Sequence, residues 1–265
     1  MTWALLDADA IREGLNPRRV GRRIVVLGET TSTNDVALNA SAGPQAEVDG
    51  LAVFAEYQSG GRGRQGRSWL SPRGASILCS VLIFGPDDVR LAGPLTLAAG
   101  IAACDAVRAT TTAWPVLRWP NDLVVGGRKL AGVLVESRPV GTGRRGWVVG
   151  VGINCHQHAE HFPPDIRDRA TSLEMLTAHP LDRTAMAREL LRQLDAWLVA
   201  EPPEAERVRR EWLDRAEPVG RRVRLLSDGV PFEGLMLDVD PDAGMLVQLD
   251  DGGRRWFDAT RTQLL

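Results

Sequence analysis

Short apolar runs rich in β-branched residues recur through the first two thirds of the chain and predict buried strands. They cover residues 24–27, 51–55, 75–84, 117–125, 128–136 and 147–154. Gly126 and Gly127 separate two of these runs and predict a β-hairpin. The last run contains Gly150 and Gly152, which indicate that another backbone or a ligand comes close to that strand.

Apolar residues at helical spacing predict an amphipathic helix over residues 94–109, with a proline at its start. Further helices are predicted over residues 7–15, 184–201 and 204–215. Asp7 is the expected N-cap of the first, and Pro202-Pro203 separates the last two.

Beyond Pro218 the pattern changes to short alternating strands, which predict a small antiparallel barrel. The predicted strands cover residues 222–226, 232–238, 245–249 and 255–258. A barrel of this size is marginally stable alone, so we expect it to pack on a larger unit. The predicted domains are therefore residues 1–217 and residues 218–265.

Composition and charge are those of an ordinary soluble protein. Formal net charge is −2 and 44% of the residues are apolar, which argues against wholesale nucleic-acid binding. No apolar run approaches the ~20 residues that span a bilayer, and the first residues lack the charged region of a signal peptide. Cysteines 79, 104 and 155 are scattered in apolar context, which is typical of reduced, buried thiols. We expect a cytoplasmic protein that does not bind a membrane.

Almost all of the lysine or arginine positions are arginine. Of 32 lysines and arginines, 31 are arginine, and Lys129 is the single lysine. A chain biased towards arginine keeps one lysine either by chance or where a compact charge on a flexible stem is required. Composition leaves both explanations open.

The segment from Tyr57 to Arg67, which we call the glycine–arginine loop, follows the buried run 51–55. Glycine exposes backbone N–H groups that can converge on an anion, and arginine adds a planar fork of donors. The alternative is a solvated basic loop. Because the loop leaves a buried strand and alternates glycine with arginine, we favour an anion-binding cradle.

The loop also contains a G-x-G-x-x-G pattern, at Gly61, Gly63 and Gly66. A dinucleotide site would require a helix to begin at the last glycine. Pro72 and Gly74 follow shortly and argue against a helix, so we reject a nicotinamide or flavin site.

Two polar segments each have a structural and a functional interpretation. Residues 30–34 are all hydroxyl or amide residues. In the structural interpretation, Ser32 or Thr33 caps a helix over residues 34–42. In the functional interpretation, the five residues form a hydrogen-bonding wall for a polar ligand. Residues 155–158 with His161 suggest a metal site, but the spacing fits no standard zinc pattern. We favour a loop for the second segment.

Five segments together resemble the biotin protein ligase family in order and spacing, over about residues 24–260. They are STN (32–34), GGRGRQGRSW (60–69), RWPND (118–122), GRKLAGVLVE (127–136) and GVGIN (150–154). The resemblance implies an α/β (α+β) catalytic domain with a mixed sheet, similar to class II aminoacyl-tRNA synthetases. It also implies that the C-terminal barrel is SH3-like.

The implied reaction has two steps. Biotin and ATP, with Mg²⁺, give biotinyl-5′-adenylate and pyrophosphate, and the biotinyl group then moves to a lysine on a biotin carboxyl carrier domain of an acyl-CoA carboxylase. Adenylation joins two anionic reactants, so it requires positive charge where the transition state gathers charge on phosphoryl oxygens.

The resemblance also implies roles for individual residues. Those implied to bind biotin are Ser32, Thr33, Asn34, Gln58, Gly61, Arg62, Gly63, Arg64, Lys129 and Gly132. Those implied to bind ATP are Arg64, Arg67, Trp69, Asn121, Asp122, Lys129 and Asn154. Lys129, Arg64 and Arg67 would be catalytic, and Asp122 would be the Mg²⁺ ligand. Core polar residues are the alternative for Asn121 and Asn154, which the five ordered motifs make less favourable.

Two departures from the family pattern limit this resemblance. Arg118 stands where the family usually has lysine, so we do not expect it to be the chemical residue. Many relatives carry an N-terminal helix-turn-helix, and the first strand here begins near residue 24, so we expect the form without that domain, a ligase that does not bind DNA.

Two rival functions remain open. A lipoate or octanoate ligase would share the fold but would need an apolar acyl channel in place of the polar wall between Ser32 and Gln58. A non-enzymatic nucleic-acid module would require clustered positive charge, which a chain of net charge −2 does not obviously have.

Overall fold

The computed structural model of the protein describes residues 3–177, 181–199 and 203–265. Within these ranges it contains six α-helices: α1 (Ala8–Arg12), α2 (Thr33–Ala40), α3 (Gln45–Val48), α4 (Ala92–Thr110), α5 (Arg183–Leu198) and α6 (Ala205–Arg215). The same ranges contain twelve strands: β1 (Arg23–Leu27), β2 (Leu51–Ala55), β3 (Ser76–Pro86), β4 (Val116–Arg118), β5 (Asp122–Val125), β6 (Arg128–Pro139), β7 (Arg144–Asn154), β8 (Arg222–Ser227), β9 (Val230–Asp240), β10 (Gly244–Leu249), β11 (Arg254–Phe257) and β12 (Thr262–Leu264).

The strands β1 to β7 form one mixed sheet, in the order β1-β2-β3-β7-β6-β5-β4. Strands β1 and β2 are parallel, and every other neighbouring pair is antiparallel. The predicted hairpin is confirmed, because β5 and β6 pair across Gly126 and Gly127, whose φ angles are 56° and 77°. The predicted run 117–125 is two strands, β4 and β5, which pair with each other across a turn at Trp119-Pro120.

Helices cover both faces of this sheet. On one face α4 packs against α5 and α6, and together with the sheet they enclose the main core. On the other face α2 packs against β2, β3 and β7 over a smaller core that includes Ala37, Leu82 and Val148. The second face is left partly open beyond α2, and a cleft lies in this opening.

The predicted helices are present with shifted ends. Helix α1 is shorter than residues 7–15, and Asp7 caps it as predicted, since its Oδ1 accepts from the N–H groups of Asp9 and Ala10. The end of the predicted helix 184–201 and the first proline after it lie outside the described residues. The stretch Val89–Thr110, which includes α4, is long and apolar enough to cross a membrane by length and composition, although 61% of its apolar 18-residue window is buried in the fold. Mostly buried core helices of soluble proteins pass the same test of length and composition, so the expectation that no run spans a bilayer stays a prediction.

The three cysteines lie inside the fold as expected for buried thiols. Burial raises the pKa of the Cys104 thiol to about 11 and that of Cys155 to about 12. Burial also raises the pKa of Cys79. None of the three is therefore a thiolate near neutral pH.

The C-terminal strands form a separate antiparallel sheet, in the order β11-β10-β9-β8-β12. The four predicted strands are present, and the sequence missed β12, which is only three residues long. This sheet packs on the larger unit, since Arg209 of α6 donates to the Asp238 carboxylate of β9 at 2.6 Å and Gly93 leaves room for the carbonyl of Pro241. The domain boundary after residue 217, which stays a prediction, falls between α6 and β8.

Candidate active site

A cleft of about 1170 Å³ lies on the α2 face of the mixed sheet and reaches the C-terminal sheet. Fourteen of the fifteen predicted site residues line it: Ser32, Thr33, Asn34, Gln58, Arg62, Gly63, Arg64, Arg67, Trp69, Asn121, Asp122, Lys129, Gly132 and Asn154. Gly61 is buried just behind the surface. The volume is somewhat above the range of about 300–1,000 Å³ that is typical of small-molecule sites.

A polar wall closes one end of the cleft. The side-chain Oε1 of Gln58 accepts from the backbone N–H of Thr33 at 2.7 Å and lies 2.9 Å from the Thr33 hydroxyl. The Thr33 hydroxyl is in turn 2.7 Å from the hydroxyl of Ser80, which lies 2.6 Å from Oδ1 of Asn34. Four side chains from α2, the glycine–arginine loop and β3 thus share one hydrogen-bonded chain.

The amide of Asn34 has a fixed orientation in this wall. Its Nδ2 donates to Oε2 of Glu136 at 2.6 Å and points towards the carbonyl of Leu134 at 3.4 Å. Gly150 makes room for it, because a Cβ at that position would lie 2.4 Å from Oδ1 of Asn34. The close approach predicted at Gly150 is therefore present, and the group that approaches is a side chain.

Ser32 occupies the N-cap position of α2 but does not cap it with its side chain. The helix begins at Thr33, and the Thr33 hydroxyl contacts Gln58 and Ser80 instead of the helix backbone. The predicted side-chain cap was therefore wrong. The polar segment 30–34 serves the cleft instead, since both Ser32 and Thr33 line it.

The glycine–arginine loop folds back on itself without forming a helix. The N–H of Gly63 donates to the carbonyl of Arg67 at 2.6 Å, and the N–H of Trp69 donates to the carbonyl of Gly61 at 2.9 Å. A Cβ at Gly61 would lie 2.5 Å from the Trp69 carbonyl, so a glycine is required there. One 3₁₀ turn at the tip contains Gln65 with φ of 55°. The predicted absence of a dinucleotide-binding helix is confirmed.

The chain segment that carries the glycine–arginine loop begins and ends next to Glu56. The N–H of Gly74 donates to the Glu56 carbonyl at 2.8 Å, so the chain leaves and rejoins the fold at one place. The Glu56 carboxylate beneath accepts from the Arg183 guanidinium at 2.6 Å and from the N–H of Leu6 at 2.5 Å. Both members of this ion pair are buried, with side-chain exposures of 3% and 2%.

Arg62 is held at the edge of the polar wall by two carboxylates. It makes a bidentate contact with Asp35 at 2.6 and 2.9 Å and reaches Oε2 of Glu136 at 3.0 Å. The hydrogen bond from Arg62 lowers the pKa of the Asp35 carboxyl. Arg67, by contrast, is exposed at the rim of the cleft, with its side chain available to a ligand.

Arg64 lies deeper in the cleft and joins the loop to the C-terminal sheet. Its guanidinium donates to Oδ1 of Asn121 at 3.2 Å and to the carbonyl of Ala259, in the turn between β11 and β12. The neighbouring Gln65 reaches the carbonyl of Thr260 at 3.5 Å. Burial lowers the pKa of the Arg64 guanidinium, which nevertheless stays charged.

Lys129 lines the cleft between Asp122 and Trp69. Its Nζ is 2.5 Å from Oδ1 of Asp122 and 5.7 Å from the ring centre of Trp69. Two glycines make room for this group, because a Cβ at Gly132 would lie 3.2 Å from the Lys129 Nζ, and one at Gly152 would lie 2.7 Å from the Trp69 ring. The predicted close approach at Gly152 is therefore made by an aromatic ring.

The two asparagines predicted to bind ATP are already bonded within the protein. Nδ2 of Asn121 donates to the carbonyl of Val133 at 2.7 Å. Nδ2 of Asn154 donates to the carbonyl of Thr171 at 3.0 Å, and its Oδ1 accepts from Gln157 at 3.1 Å. The structure thus brings both to the cleft wall with fixed amide orientations.

Arg118 makes a structural contact at the junction with the C-terminal sheet. It forms a bidentate pair with Glu217 at 2.9 and 3.1 Å and donates to the carbonyl of Gly127 at 3.3 Å. Burial lowers the pKa of its guanidinium. Arg118 also lines the cleft, and the expectation that it is not the chemical residue stays a prediction.

No group of three or more His, Cys, Asp or Glu side chains that could hold a metal ion occurs within residues 3–177, 181–199 and 203–265. His156 pairs with Glu174 at 2.6 Å and stacks on Trp3 with a ring separation of 5.6 Å. At the cleft, Asp122 offers a carboxylate next to Lys129. One carboxylate suits Mg²⁺ that arrives with a nucleotide, because such Mg²⁺ takes most of its ligands from phosphates and water.

Several residues at this site escaped the sequence analysis. Ser80 and Glu136 support the polar wall, Asp35 pairs with Arg62, and the turn at Ala259 and Thr260 contacts the loop. A signal existed for Ser80, which is one of two serines in the apolar run 75–84. The sequence around Ala259 and Thr260 contains no such signal.

Comparisons with known proteins agree with this architecture. Residues 27–154 match the sequence model of the biotin/lipoate A/B protein ligase family. A biotin–[acetyl-CoA-carboxylase] ligase of Mycobacterium tuberculosis is 37% identical over 257 residues, which cover 94% of this chain and 91% of that protein.

Solved structures also resemble this fold. An arginine-to-glycine mutant of the Aquifex aeolicus biotin protein ligase in complex with biotin has a TM-score of 0.76 at 25% identity, covering 92% of this chain and 98% of that one. The Aquifex aeolicus ligase in complex with biotin and ATP has a TM-score of 0.70 at 25% identity, covering 92% and 99%. The chain therefore belongs to the biotin/lipoate A/B protein ligase family and, within it, to the biotin protein ligases.

Proposed function

We propose that this protein activates biotin with ATP as biotinyl-5′-adenylate and transfers the biotinyl group to a lysine of a biotin carboxyl carrier domain of an acyl-CoA carboxylase. The observation that carries the proposal is that one cleft combines the polar wall with the cationic groups of Arg64 and Lys129. A ureido ring suits the wall, and a carboxylate and a phosphate suit the cations. The name of the Mycobacterium tuberculosis relative supports the same activity.

In the first step a biotin carboxylate oxygen attacks the α-phosphorus of ATP. A carboxylate–phosphorus bond forms, the bond to the β-phosphate oxygen breaks, and pyrophosphate leaves. Lys129 is free to leave Asp122 for the substrate oxygens, because both side chains are partly exposed at the cleft. Arg64 and Arg67 add positive charge where the transition state gathers negative charge.

In the second step the amine of the carrier lysine attacks the carbonyl carbon of the mixed anhydride. An amide bond forms, AMP leaves and the amine loses a proton. The open rim near Arg67 gives a second protein access to the cleft, since this part of the loop is exposed. Ordering of the loop over the adenylate would protect it from water until the carrier arrives.

The nucleotide is proposed to lie between Trp69 and the asparagine side chains. The indole Nε1 of Trp69 is buried and has no partner within the part of the chain that the structure describes. A purine that stacks on this ring buries apolar surface, and its polar edges can hydrogen-bond to Asn121 and Asn154. Asp122 would hold Mg²⁺ bound to ATP, which supplies neutralisation of the phosphate charge.

The polar wall favours biotin over the acyl substrates of the lipoate branch of the family. A lipoyl or octanoyl chain would leave Thr33, Asn34 and Gln58 facing an apolar group at the end of the cleft. Such a chain would make no hydrogen bond with this wall, whereas a ureido ring carries both donors and an acceptor for it. The second candidate is therefore less favourable.

Pyrophosphate release tests the proposal directly. The purified protein is given ATP and Mg²⁺ with biotin, lipoate or octanoate in turn, and release should depend on biotin. Transfer is then followed by mass spectrometry of an isolated carboxyl carrier domain. Release that depends on lipoate or octanoate alone would contradict the proposal.

We further propose that the protein works in the cytoplasm and without DNA. A net charge of −2 gives no general attraction to a polyanion. Salt-sensitive binding of this chain to a specific DNA sequence would contradict this part of the proposal.

A further inference from the structure

The hydrogen-bond chain of the polar wall contains an imbalance between donors and acceptors. Its two inner members are the hydroxyls of Thr33 and Ser80, and its two ends are Oε1 of Gln58 and Oδ1 of Asn34. The three contacts along it are 2.9, 2.7 and 2.6 Å long. Each contact of this length between oxygens requires one hydrogen.

Both ends of the chain are fixed as acceptors. The backbone N–H of Thr33 donates to Gln58 at 2.7 Å, so an oxygen and not the amide nitrogen must face it. The carboxylate of Glu136 and the carbonyl of Leu134 accept from Asn34, so the Asn34 nitrogen faces them and its oxygen faces Ser80. Neither amide can be turned without placing two donors or two acceptors together.

The chain therefore has three contacts and only two hydroxyl hydrogens. Gln58 already accepts from the Thr33 backbone, so the contact that can lack a hydrogen at least cost is the one between Gln58 and the Thr33 hydroxyl. Thr33 then donates to Ser80, and Ser80 donates to Asn34. Two acceptor oxygens, 2.9 Å apart, are left facing each other beside the cleft.

We propose that Ser80 is a specificity-determining residue, which acts through Thr33 and obliges the ligand to bring an N–H to this end of the cleft. Ser80 is fully buried and does not line the cleft, so it is a positioning residue. Because Ser80 accepts the Thr33 hydrogen, the Thr33 hydroxyl oxygen and the Gln58 oxygen both remain acceptors, and the ligand must supply the donor. The inference rests on the proposed function, since the ureido ring of biotin supplies such an N–H.

A ligand that offers an oxygen in place of this N–H would meet two acceptors. Thr33 could turn its hydrogen towards that oxygen only by abandoning Ser80 at 2.7 Å. A second contact of the chain would then lack a hydrogen. Sites whose buried polar groups are left unpaired in this way reject the wrong ligand strongly.

The simpler view is that Ser80 only satisfies its neighbours inside the sheet. The strand offers a matched control for it, because Ser76 lies four residues away on β3 and is also buried. The Ser76 hydroxyl accepts from Gln157 at 2.5 Å and belongs to a different network. Replacing either serine by alanine removes one buried hydroxyl from the same strand.

The experiment measures binding without ATP, by calorimetry, for the wild type, Ser80→Ala and Ser76→Ala. The ligands are biotin and its two cyclic-carbamate analogues, in which one or the other ring N–H is replaced by oxygen. The wild type should bind at least one analogue about 100-fold more weakly than biotin. Ser80→Ala frees the Thr33 hydrogen for the analogue and should reduce this ratio to about tenfold. Ser76→Ala should keep the wild-type ratio.

Each outcome bears on the proposal. A ratio in Ser80→Ala equal to that of the wild type, or an equal fall in Ser76→Ala, would overturn it. A wild type that binds biotin and both analogues within threefold of one another would overturn this inference alone, whereas a wild type that does not bind biotin would overturn the proposed function as well. If Ser80→Ala fails to fold, a neutron structure of the unliganded wild type decides, since hydrogens on all three contacts would contradict the proposal.

Discussion

Nζ of Lys129 lies 2.5 Å from Oδ1 of Asp122, across the hairpin formed by β5 and β6. This pair keeps the single lysine of the chain beside the carboxylate that we propose as a Mg²⁺ ligand. Because both side chains remain partly exposed, the contact is one that a substrate carboxylate or phosphate can replace. We therefore expect an anionic group of the substrate to replace Asp122 beside Lys129 during the reaction.

Lys129→Arg should remove most adenylation although it keeps the charge. A planar guanidinium is too wide to replace an ammonium between two substrate oxygens. We expect a loss of about 2–4 kcal/mol in the barrier, by analogy with lost oxyanion donors. Biotin affinity should fall as well, because the same ammonium contacts the ground-state carboxylate. Rapid-quench measurement of adenylate formation checks this.

Arg128→Lys is the matched control, since Arg128 is the neighbouring cation at the start of β6. It should form adenylate at the wild-type rate. A Lys129→Arg rate within about twofold of the wild type would be well under 1 kcal/mol and would remove Lys129 from the mechanism.

The glycine–arginine loop should become protected from hydrogen exchange when the adenylate forms. Its four glycines make ordering costly in backbone entropy, and ligand contacts must offset that cost. We expect fast exchange over residues 60–67 in the free protein and slow exchange with biotin and ATP. Peptides from β2, which is fully buried, serve as the internal reference. Equal protection in both states would contradict the prediction.

Asp258 should control how well Arg64 is held. Its Oδ1 accepts from the N–H of Thr260 at 2.6 Å, and this turn presents the Ala259 carbonyl to Arg64. Asp258→Ala should weaken the turn by about 1 kcal/mol, as for other lost caps, and shorten adenylate retention about fivefold. Release of the adenylate is followed by filtration after a single turnover.

Asp258→Asn separates the turn from the charge in this test. Asparagine keeps the accepting oxygen, so retention should remain near the wild-type value. Asp251→Ala removes a similar turn contact, 3.0 Å to the N–H of Gly253, away from the cleft and should have no effect. A loss in Asp258→Asn equal to that in Asp258→Ala would show that the charge, not the turn, matters.

Glu56→Gln should destabilise the protein strongly. The change leaves Arg183 buried without a counter-charge, which typically costs about 3–5 kcal/mol. Denaturant unfolding should show this loss, whereas Glu233→Gln, at an exposed pair with Arg224, should change stability by less than about 1 kcal/mol. Equal effects of the two changes would mean that burial does not set the strength of the Glu56 pair.

The order of strands and helices was predictable because burial on both faces leaves long apolar runs, such as residues 75–84. Strand β12 was not, since three residues are too few to show alternation. The sequence also could not give the pairing of β3 with β7, which sets Ser80 opposite Gly150. Pairings between distant segments follow from packing and not from local pattern.

At the site, the motifs identified residues that line the cleft but not those that hold them. Asn34 and Glu136 are separated by 102 positions and meet only after β6 is placed next to β7. The side-chain cap by Ser32 or Thr33, one of the two interpretations of residues 30–34, is absent for a related reason. The Thr33 hydroxyl contacts Gln58 and Ser80, which are tertiary contacts that local capping rules do not include.

The position of Lys129 has a practical consequence for chemical labelling. Because the other 31 lysine or arginine positions are arginine, Lys129 supplies the one side-chain amine of the whole sequence, and it lines the cleft. An acyl-adenylate that escapes finds no lysine on the enzyme's own surface to modify. For the same reason, acylation of Lys129 by an amine-directed ester would measure whether the cleft is occupied. The α-amino group would be the only other amine to react.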